Sequence, residues 1–324
     1  MFEISVFWFS VAAVLAVGLG VVTTMLASER KRHHESRRDL QERIYTQTEA
    51  LRHKEQEITD SIRYALRIQM SIIPTASRVE ALLPQSAVFY RPKDIVSGDF
   101  YWVEQLGDEV LVAAVDCTGH GVPGAMMSVV GLKSLNQAVQ DKQLAQPSEI
   151  LRHLDISVND TLRQSYDANA VKDGMDLALC SINYKTLRLQ YAGAFNGVCI
   201  IRKNIANTYR PVGPREAFYG SDLLEIRPDK LPIGSNTDGV ADTYTNHTFA
   251  LQKNDLVYIY TDGYADQFGG PKGKKFKYNQ LKELLVSLAG EPVASHAAIL
   301  EKRFEEWRGS QEQVDDVLVI GIRI

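Results

Sequence analysis

The sequence has few cysteines, no excess of basic residues, and an N-terminal stretch without any charge. Its three cysteines (Cys117, Cys180 and Cys199) are too few for a disulfide framework, lack the spacing of a zinc site, and suit a reducing compartment. Acidic residues outnumber basic ones by 40 to 36 in 324 residues, which argues against a nucleic-acid-binding protein. With 45% hydrophobic and 23% charged residues, the composition excludes a largely disordered chain.

The charge-free stretch covers residues 4–27 and is long enough to span a bilayer as a helix. Only Glu3 carries a charge before it, whereas five basic residues follow closely: Arg30, Lys31, Arg32, Arg37 and Arg38. A cleaved signal peptide would begin with basic residues and have a shorter core, and a buried core helix would leave the basic flank unexplained. We predict a single-pass anchor (1–28) in the inner (cytoplasmic) membrane, with the rest of the chain in the cytoplasm and no extracellular sensor domain.

Residues 29–74 form a predicted helical linker, because glycine is missing there and the first proline is Pro74. Apolar positions alternate in steps of four and three, as in a coiled-coil heptad: Leu40, Ile44, Gln47, Leu51, Lys54, Ile58, Ser61, Ala65, Ile68 and Ile72. Three of these positions are polar, which weakens the seam but can fix the register and oligomeric state. The pattern favours a parallel homodimeric coiled coil; the alternative is a solvated single helix that serves as a spacer.

The remaining residues, 75–324, suffice for one globular domain. Apolar or alternating runs predict eight strands: Ala87–Tyr90, Asp99–Glu104, Glu109–Asp116, Asp176–Asn183, Leu187–Ala192, Val198–Arg202, Asp255–Thr261 and Asp316–Ile324. Helical patterns predict four helices: Gly124–Gln140, Pro147–Gln164, Tyr278–Leu288 and Ala294–Trp307. Because the strands come in consecutive pairs, we predict an α+β fold with antiparallel sheets covered by helices. Residues 204–247 are expected to be rich in loops.

Aspartates recur at the predicted strand ends, beside glycine or small residues. They are Asp99, Asp116, Asp173, Asp176, Asp262, Asp315 and Asp316. Each alone is most simply a turn or cap residue, but their recurrence next to apolar strands favours one shared site. Converging carboxylates repel one another unless a cation neutralises them, and hard oxygen ligands select Mg²⁺ or Mn²⁺. Two such ions can activate water and hold a phosphoryl group.

A competing motif, Gly119-His-Gly-Val-Pro-Gly124, matches the G-x-G-x-x-G of dinucleotide sites. It follows a predicted strand and precedes a helix, and Asp141 lies about 20 residues further on. However, no second strand follows to carry that acid, and the domain lacks βαβ order, so this alternative is weak. His120 inside the motif could act as a general acid toward a leaving alkoxide, or it could be a structural loop residue.

Seven segments, in order, resemble the SpoIIE-type serine phosphatases of bacteria, a branch of the metal-dependent (PPM, type 2C) phosphatases. They are Arg91–Tyr101, Val115–Ala125, Asp173–Ala178, Tyr191–Asn196, Leu231–Gly234, Tyr260–Tyr264 and Val314–Val317. The resemblance covers roughly residues 66–324 and implies a central antiparallel β-sandwich flanked by helices. It also implies hydrolysis of phosphoserine or phosphothreonine on a signalling protein, such as an anti-sigma-factor antagonist. A non-catalytic signalling scaffold of the same fold is the alternative.

By that resemblance, two Mn²⁺ or Mg²⁺ ions would lie at one end of the sandwich. Asp99 and Asp262 would each bind one ion, and Asp116 would bridge both, beside the backbone carbonyl of Cys117. The last acidic pair would complete the site, with Asp315 preferred over Asp316, and Asp176 could contact a third, weaker ion. A metal-bridging hydroxide would attack phosphorus while His120 protonates the leaving group. Cys117 departs from the family, which commonly has glycine there.

Overall fold

The computed structural model describes residues 2–119, 121–163, 173–234 and 242–324. The chain divides into two compact units, 1–61 and 62–324. The first unit is the N-terminal part of helix α1 (Phe2–Ile72). By length and composition this helix could cross a membrane. Nearly all the apolar side chains described in its charge-free stretch are exposed, Trp8 and Leu19 among them. The apolar seam residues Leu40, Ile44, Leu51 and Ile58 are also exposed.

The second unit contains the last turns of α1, seven further helices and thirteen strands within the described ranges. The helices are α2 (Ala76–Leu82), α3 (Val122–Asn136, continued by a π turn at Gln137–Asp141), α4 (Pro147–Arg163), α5 (Ile205–Thr208), α6 (Gly263–Asp266), α7 (Tyr278–Ser287, continued by a 3-10 turn at Leu288–Gly290) and α8 (Val293–Arg308). The strands are β1 (Ser86–Arg91), β2 (Phe100–Leu106), β3 (Glu109–Cys117), β4 (Met175–Asn183), β5 (Arg188–Ala194), β6 (Val198–Ile201), β7 (Glu216–Tyr219), β8 (Leu223–Ile226), β9 (His247–Ala250), β10 (Leu256–Tyr260), β11 (Phe268–Gly269), β12 (Lys274–Lys275) and β13 (Val317–Arg323).

These strands form two large antiparallel sheets and one small hairpin. The six-stranded sheet has the order β1-β13-β10-β6-β8-β7, the five-stranded sheet has the order β2-β3-β4-β5-β9, and β11 pairs with β12. The predicted α+β fold is therefore confirmed. The dinucleotide alternative is wrong. The strands that precede and follow α3 and α4, β3 and β4, pair directly and antiparallel, whereas a dinucleotide-binding βαβ unit requires parallel strands.

Three hydrophobic clusters hold four layers together. Alternate residues of β3 face in opposite directions, so Val112 and Ala114 pack between the two sheets while Leu111 and Ala113 pack toward α3 and α4. On the outer face of the other sheet, Tyr258 and Val319 pack with residues of α7 and α8. The result is a β-sandwich with helices on both outer faces. At one end of the sandwich, strands of both sheets end close together, so loops that are far apart in the sequence meet there.

All eight predicted strands and all four predicted helices are present, with most ends within two residues of the prediction. Most of the described residues of 204–247 lie outside helices and strands, as predicted, although α5, β7, β8 and the start of β9 also occur there; residues 235–241 lie outside the described part of the chain. These strands are only four residues long, and β8 is fixed by its pairing with β6 and β7 rather than by its own sequence pattern. The short helix α2, between Pro74 and Pro84, was also not predicted.

Candidate active site

Five aspartates gather at one end of the sandwich, which we call the acidic end: Asp99, Asp116, Asp176, Asp262 and Asp315. Asp99 directly precedes β2, and Asp116 is the penultimate residue of β3. Asp262 follows β10 and opens α6, while Asp315 lies two residues before β13. Because β3 contacts both β10 and β13, residues from the two sheets meet here. The carboxylates thus come from separate strands of a rigid core.

Asp116 and Asp176 lie directly opposite each other in the antiparallel ladder of β3 and β4. Opposed residues in such a ladder have Cβ atoms about 5 Å apart on the same face, and like charges at such positions destabilise a sheet. Their strands continue inward through Ala114 and Ala178, which pack between the sheets. Two carboxylates in this arrangement need a proton or a cation between or beside them.

Asp99 is nearly inaccessible, with 2% of its surface exposed. The Thr261 hydroxyl donates a hydrogen bond of 2.6 Å to its Oδ2, and the Tyr90 hydroxyl donates to its backbone carbonyl at 3.0 Å. Thr261 also accepts a hydrogen bond from the backbone N–H of Leu318 through the same Oγ1. One hydroxyl therefore connects Asp99 to β10 and β13, and no pattern in the sequence marked Thr261 for that role.

Asp316 uses its carboxylate differently from its neighbour Asp315. Its Oδ1 accepts a hydrogen bond from the Lys93 N–H at 2.7 Å, and its Oδ2 accepts one from the Gly98 N–H at 2.7 Å. Asp316 is buried, whereas Asp315 is exposed. Asp316 therefore anchors the loop before Asp99 by accepting hydrogen bonds from its backbone N–H groups. Asp315 is the more accessible residue of the acidic pair. Metal ligation by either residue stays a prediction.

The same loop requires glycine at position 98. A Cβ atom there would lie 2.9 Å from the carbonyl oxygen of Gly119 and 3.1 Å from that of Cys117. Both are backbone atoms, so a side chain would push the loop away from the end of β3. This close approach fixes the Asp99 loop against the strand that carries Asp116, and it directs the Cys117 carbonyl toward Gly98, while the Cys117 side chain itself is buried.

Burial and mutual repulsion raise the pKa values of four carboxyl groups of the acidic end, those of Asp99, Asp116, Asp176 and Asp262. The pKa values of Asp99 and Asp116 are raised well above normal, first by burial and then by the charges of neighbouring aspartates. Burial and the Asp262 charge raise the pKa of Asp176 to about 6. Burial, Asp315 and Asp266 raise the pKa of Asp262 to about 6, although a hydrogen bond with Asp116 and the charge of Lys275 oppose the rise. At mildly acidic pH these carboxyl groups therefore keep protons that ordinary aspartates would have released.

Two buried glutamines, which the sequence did not single out, hold the acidic loops. Gln69, in the last turns of α1, donates from Nε2 to the Ser97 carbonyl at 2.6 Å and accepts from the Ser97 N–H at 3.2 Å. Gln267 accepts from the Val314 N–H at 3.1 Å and donates to the Glu312 carbonyl at 2.9 Å. Ser97 and Val314 lie just before Asp99 and Asp315, so each glutamine fixes the approach to one acidic residue. A lone glutamine in a polar sequence gives no signal of this role.

The donor set suits divalent cations, because carboxylate oxygens are the ligands that Mg²⁺ and Mn²⁺ prefer. In the parts of the chain that the structure describes, no three His, Cys, Asp or Glu side chains are so arranged that they could hold a metal ion. The aspartates are close enough to raise one another's pKa values, but their oxygens are not arranged as the ligands of a metal ion. The oxygen donors nevertheless fit a divalent cation, because carboxylates that repel one another at close range are stabilised when a cation binds between them. His120, the predicted general acid, lies outside the described residues.

The fold and the strand-end aspartates together define a PP2C-type phosphatase domain. Residues 107–324 match the family model of stage II sporulation protein E (SpoIIE), and the chain belongs to this family. It is 27% identical to the SiaA-PP2C domain of Pseudomonas aeruginosa, with a TM-score of 0.69, covering 83% of this chain and 98% of that domain. A structure of the PP2C phosphatase domain of SpoIIE from Bacillus subtilis, with a fragment of its regulatory domain, shares the fold at 19% identity, a TM-score of 0.55 and coverages of 74% and 61%.

The chain is also similar to a bacterial phosphoserine phosphatase. The chain is 24% identical over 227 residues, or 68% of its length, to the phosphoserine phosphatase RsbU of Bacillus subtilis (strain 168). The match spans 58% of the length of RsbU. It supports the resemblance identified from the strand-end motifs.

Proposed function

We propose that this protein is a membrane-anchored, divalent-metal-dependent serine/threonine protein phosphatase. Its substrate would be phosphoserine or phosphothreonine on a bacterial signalling protein, such as an anti-sigma-factor antagonist. The observation that carries the proposal is the acidic end itself, where Asp116 opposes Asp176 in one ladder and Asp99 and Asp262 come from adjoining loops. Membership of the SpoIIE family and similarity to RsbU support the same activity.

In this proposal Asp99, Asp116, Asp262 and Asp315 would hold two Mn²⁺ or Mg²⁺ ions, with the Cys117 carbonyl beside them and Asp176 near a third, weaker site. The ions would supply an activated water and neutralise the charge of the phosphoryl oxygens. The chain's own contribution is orientation: the Thr261 hydroxyl holds Asp99 at 2.6 Å, and Asp316 anchors the Gly98 N–H. His120 as proton donor to the leaving oxygen stays a prediction.

The test is hydrolysis of a phosphoserine peptide and of p-nitrophenyl phosphate by the purified full chain in detergent. We expect turnover with Mn²⁺ or Mg²⁺ and none after EDTA treatment, because the carboxylates alone provide no nucleophile or positive charge. Restoration of the rate by added metal would separate chelation from irreversible damage. A well-folded, metal-loaded chain without turnover on either substrate would favour the non-catalytic scaffold.

The anchoring and dimeric state belong to the same proposal. A charge-free helical stretch followed by basic residues supports a single-pass anchor in the cytoplasmic membrane with the phosphatase domain inside. The exposed seam that includes Ile44 and Leu51 supports a homodimeric coiled coil through residues 29–74. We expect the chain to stay in the membrane pellet after alkaline washing, and Ile44→Asp/Leu51→Asp to convert detergent-solubilised dimers into monomers in light scattering. Release by the wash would contradict the membrane anchor, and an unchanged mass would contradict the coiled-coil dimer.

A further inference from the structure

Between α6 and α7 the chain forms a small basic hairpin at residues 268–277, which we call the lysine hairpin. Its four lysines, Lys272, Lys274, Lys275 and Lys277, lie within six residues and are all exposed. No acidic residue occurs between Asp266 and Glu283, although the whole chain has a formal charge of −4. The lysine hairpin is therefore a local positive patch on an acidic protein.

The lysine hairpin is held rigidly. Strand β11 pairs with β12, and the Phe276 N–H donates to the Gln267 carbonyl at 2.9 Å. The buried Phe276 ring packs against Tyr264 and Trp307, each at 5.2 Å between ring centroids. A surface that is already ordered loses little conformational entropy when a partner binds. The lysines thus project from a fixed frame.

The frame borders the acidic end. Lys275 Nζ lies 2.7 Å from Asp266 Oδ2, and Asp266 is the last residue of the short helix that Asp262 opens. The Lys277 N–H donates to the Ala265 carbonyl of the same helix at 2.6 Å. The next residue, Tyr278, has a raised pKa, first because of burial and then because of the charges of Asp262, Asp266, Asp116 and Asp176. Lys275 and Lys277 therefore lie against the short helix that follows Asp262, and Lys272 and Lys274 belong to the same hairpin.

Lys277 has an unfavourable backbone. Its φ is 73° and its ψ is 149°, a region that glycine adopts easily and that strains residues with a side chain. Glycine occupies the turn positions 270 and 273 of the same hairpin, both at positive φ. The chain therefore carries lysine rather than glycine at a position where a side chain costs stability.

We propose that the lysine hairpin docks acidic residues that flank the phosphoserine or phosphothreonine of the protein substrate. The inference rests on the proposed phosphatase function. The acidic end repels an acidic polypeptide, and fixed lysines beside it offset this repulsion and orient the segment. A basic surface could also bind an anionic membrane or a nucleic acid, but neither partner would require the lysines to lie near the aspartates of the acidic end.

The experiment compares two phosphoserine peptides of equal length, one with Asp and Glu flanking the phosphoserine and one with Asn and Gln. The full chain in detergent with Mn²⁺ is assayed as wild type and as Lys272→Gln/Lys274→Gln. We expect the double variant to reduce the ratio of kcat/KM for the acidic over the neutral peptide by about tenfold. Hydrolysis of p-nitrophenyl phosphate, which has no flanking residues, should be unchanged.

The matched control is Lys203→Gln/Lys253→Gln, which removes two exposed lysines from the opposite end of strands β6 and β10. An equal loss of the ratio in this control, or no loss in the hairpin variant, would overturn the inference. If the wild type hydrolyses nothing, the proposed function fails, and fluorescence anisotropy of the labelled peptides still measures docking by the same comparison. Hairpin-dependent binding to phosphatidylglycerol vesicles without any peptide preference would overturn it in favour of a membrane contact.

Discussion

Asp116→Asn should reduce metal-dependent hydrolysis of p-nitrophenyl phosphate by more than roughly 100-fold, since loss of a residue one step removed from a metal already costs 10- to 100-fold. The carboxylate lies at the end of β3, opposite Asp176 and hydrogen-bonded to Asp262. Asp116 therefore interacts with two other aspartates of the acidic end, and its replacement by asparagine would remove a carboxylate from the proposed metal centre. The measurement is the initial rate at saturating Mn²⁺, together with Mn²⁺ affinity by calorimetry.

The control for this variant is Asp141→Asn, which changes an exposed aspartate at the other end of α3. It removes the same charge far from the acidic end and should retain both rate and affinity. Because the Asp116→Asn substitution also relieves repulsion, the metal-free variant should melt no lower than the metal-free wild type. A rate within tenfold of wild type, with normal folding, would remove Asp116 from the proposed metal centre.

Much of this arrangement could be predicted from the sequence because it depends on local pattern. Apolar β-branched runs identify strands such as β3 and β10, and an aspartate at the end of such a run, as with Asp116 and Asp262, is unusual enough to attract attention. The order of consecutive strands favours antiparallel sheets. In such a fold, a few strand ends converge, so the gathering of Asp99 near Asp116 follows from topology.

The remainder depends on contacts that sequence spacing does not encode. Gln69 and Ser97 are 28 residues apart, and Thr261 and Asp99 are 162 apart. Each pair exists only because the sandwich brings the two loops together. The distinction between Asp315 and Asp316 has the same origin, since burial of one carboxylate against the Gly98 N–H is a tertiary fact. The strands β7 and β8 likewise form because β6 offers a partner.

The metal-free protein should become less stable as the pH rises from 5 to 7.5. Folding raises the pKa values of Asp176 and Asp262 to about 6 from the ordinary value of 3.8. A carboxyl group whose pKa is raised by folding contributes its full stability below the unfolded-state pKa, and that contribution is lost as the pH rises through the folded-state pKa. In EDTA, we expect the melting temperature of the phosphatase domain to fall by at least about 4 °C over this range.

Divalent cations should reverse this dependence, because an ion that binds only the folded carboxylates replaces the protons they would otherwise need. Mn²⁺ should therefore raise the melting temperature more at pH 7.5 than at pH 5, where protons compete for the same oxygens. Asp176→Asn removes one of the two groups with a pKa near 6 and should flatten the metal-free pH profile, whereas Asp141→Asn should leave it unchanged. A metal-free melting temperature that is constant or rises between pH 5 and 7.5 would show that the carboxylates of the acidic end do not repel one another as strongly as inferred.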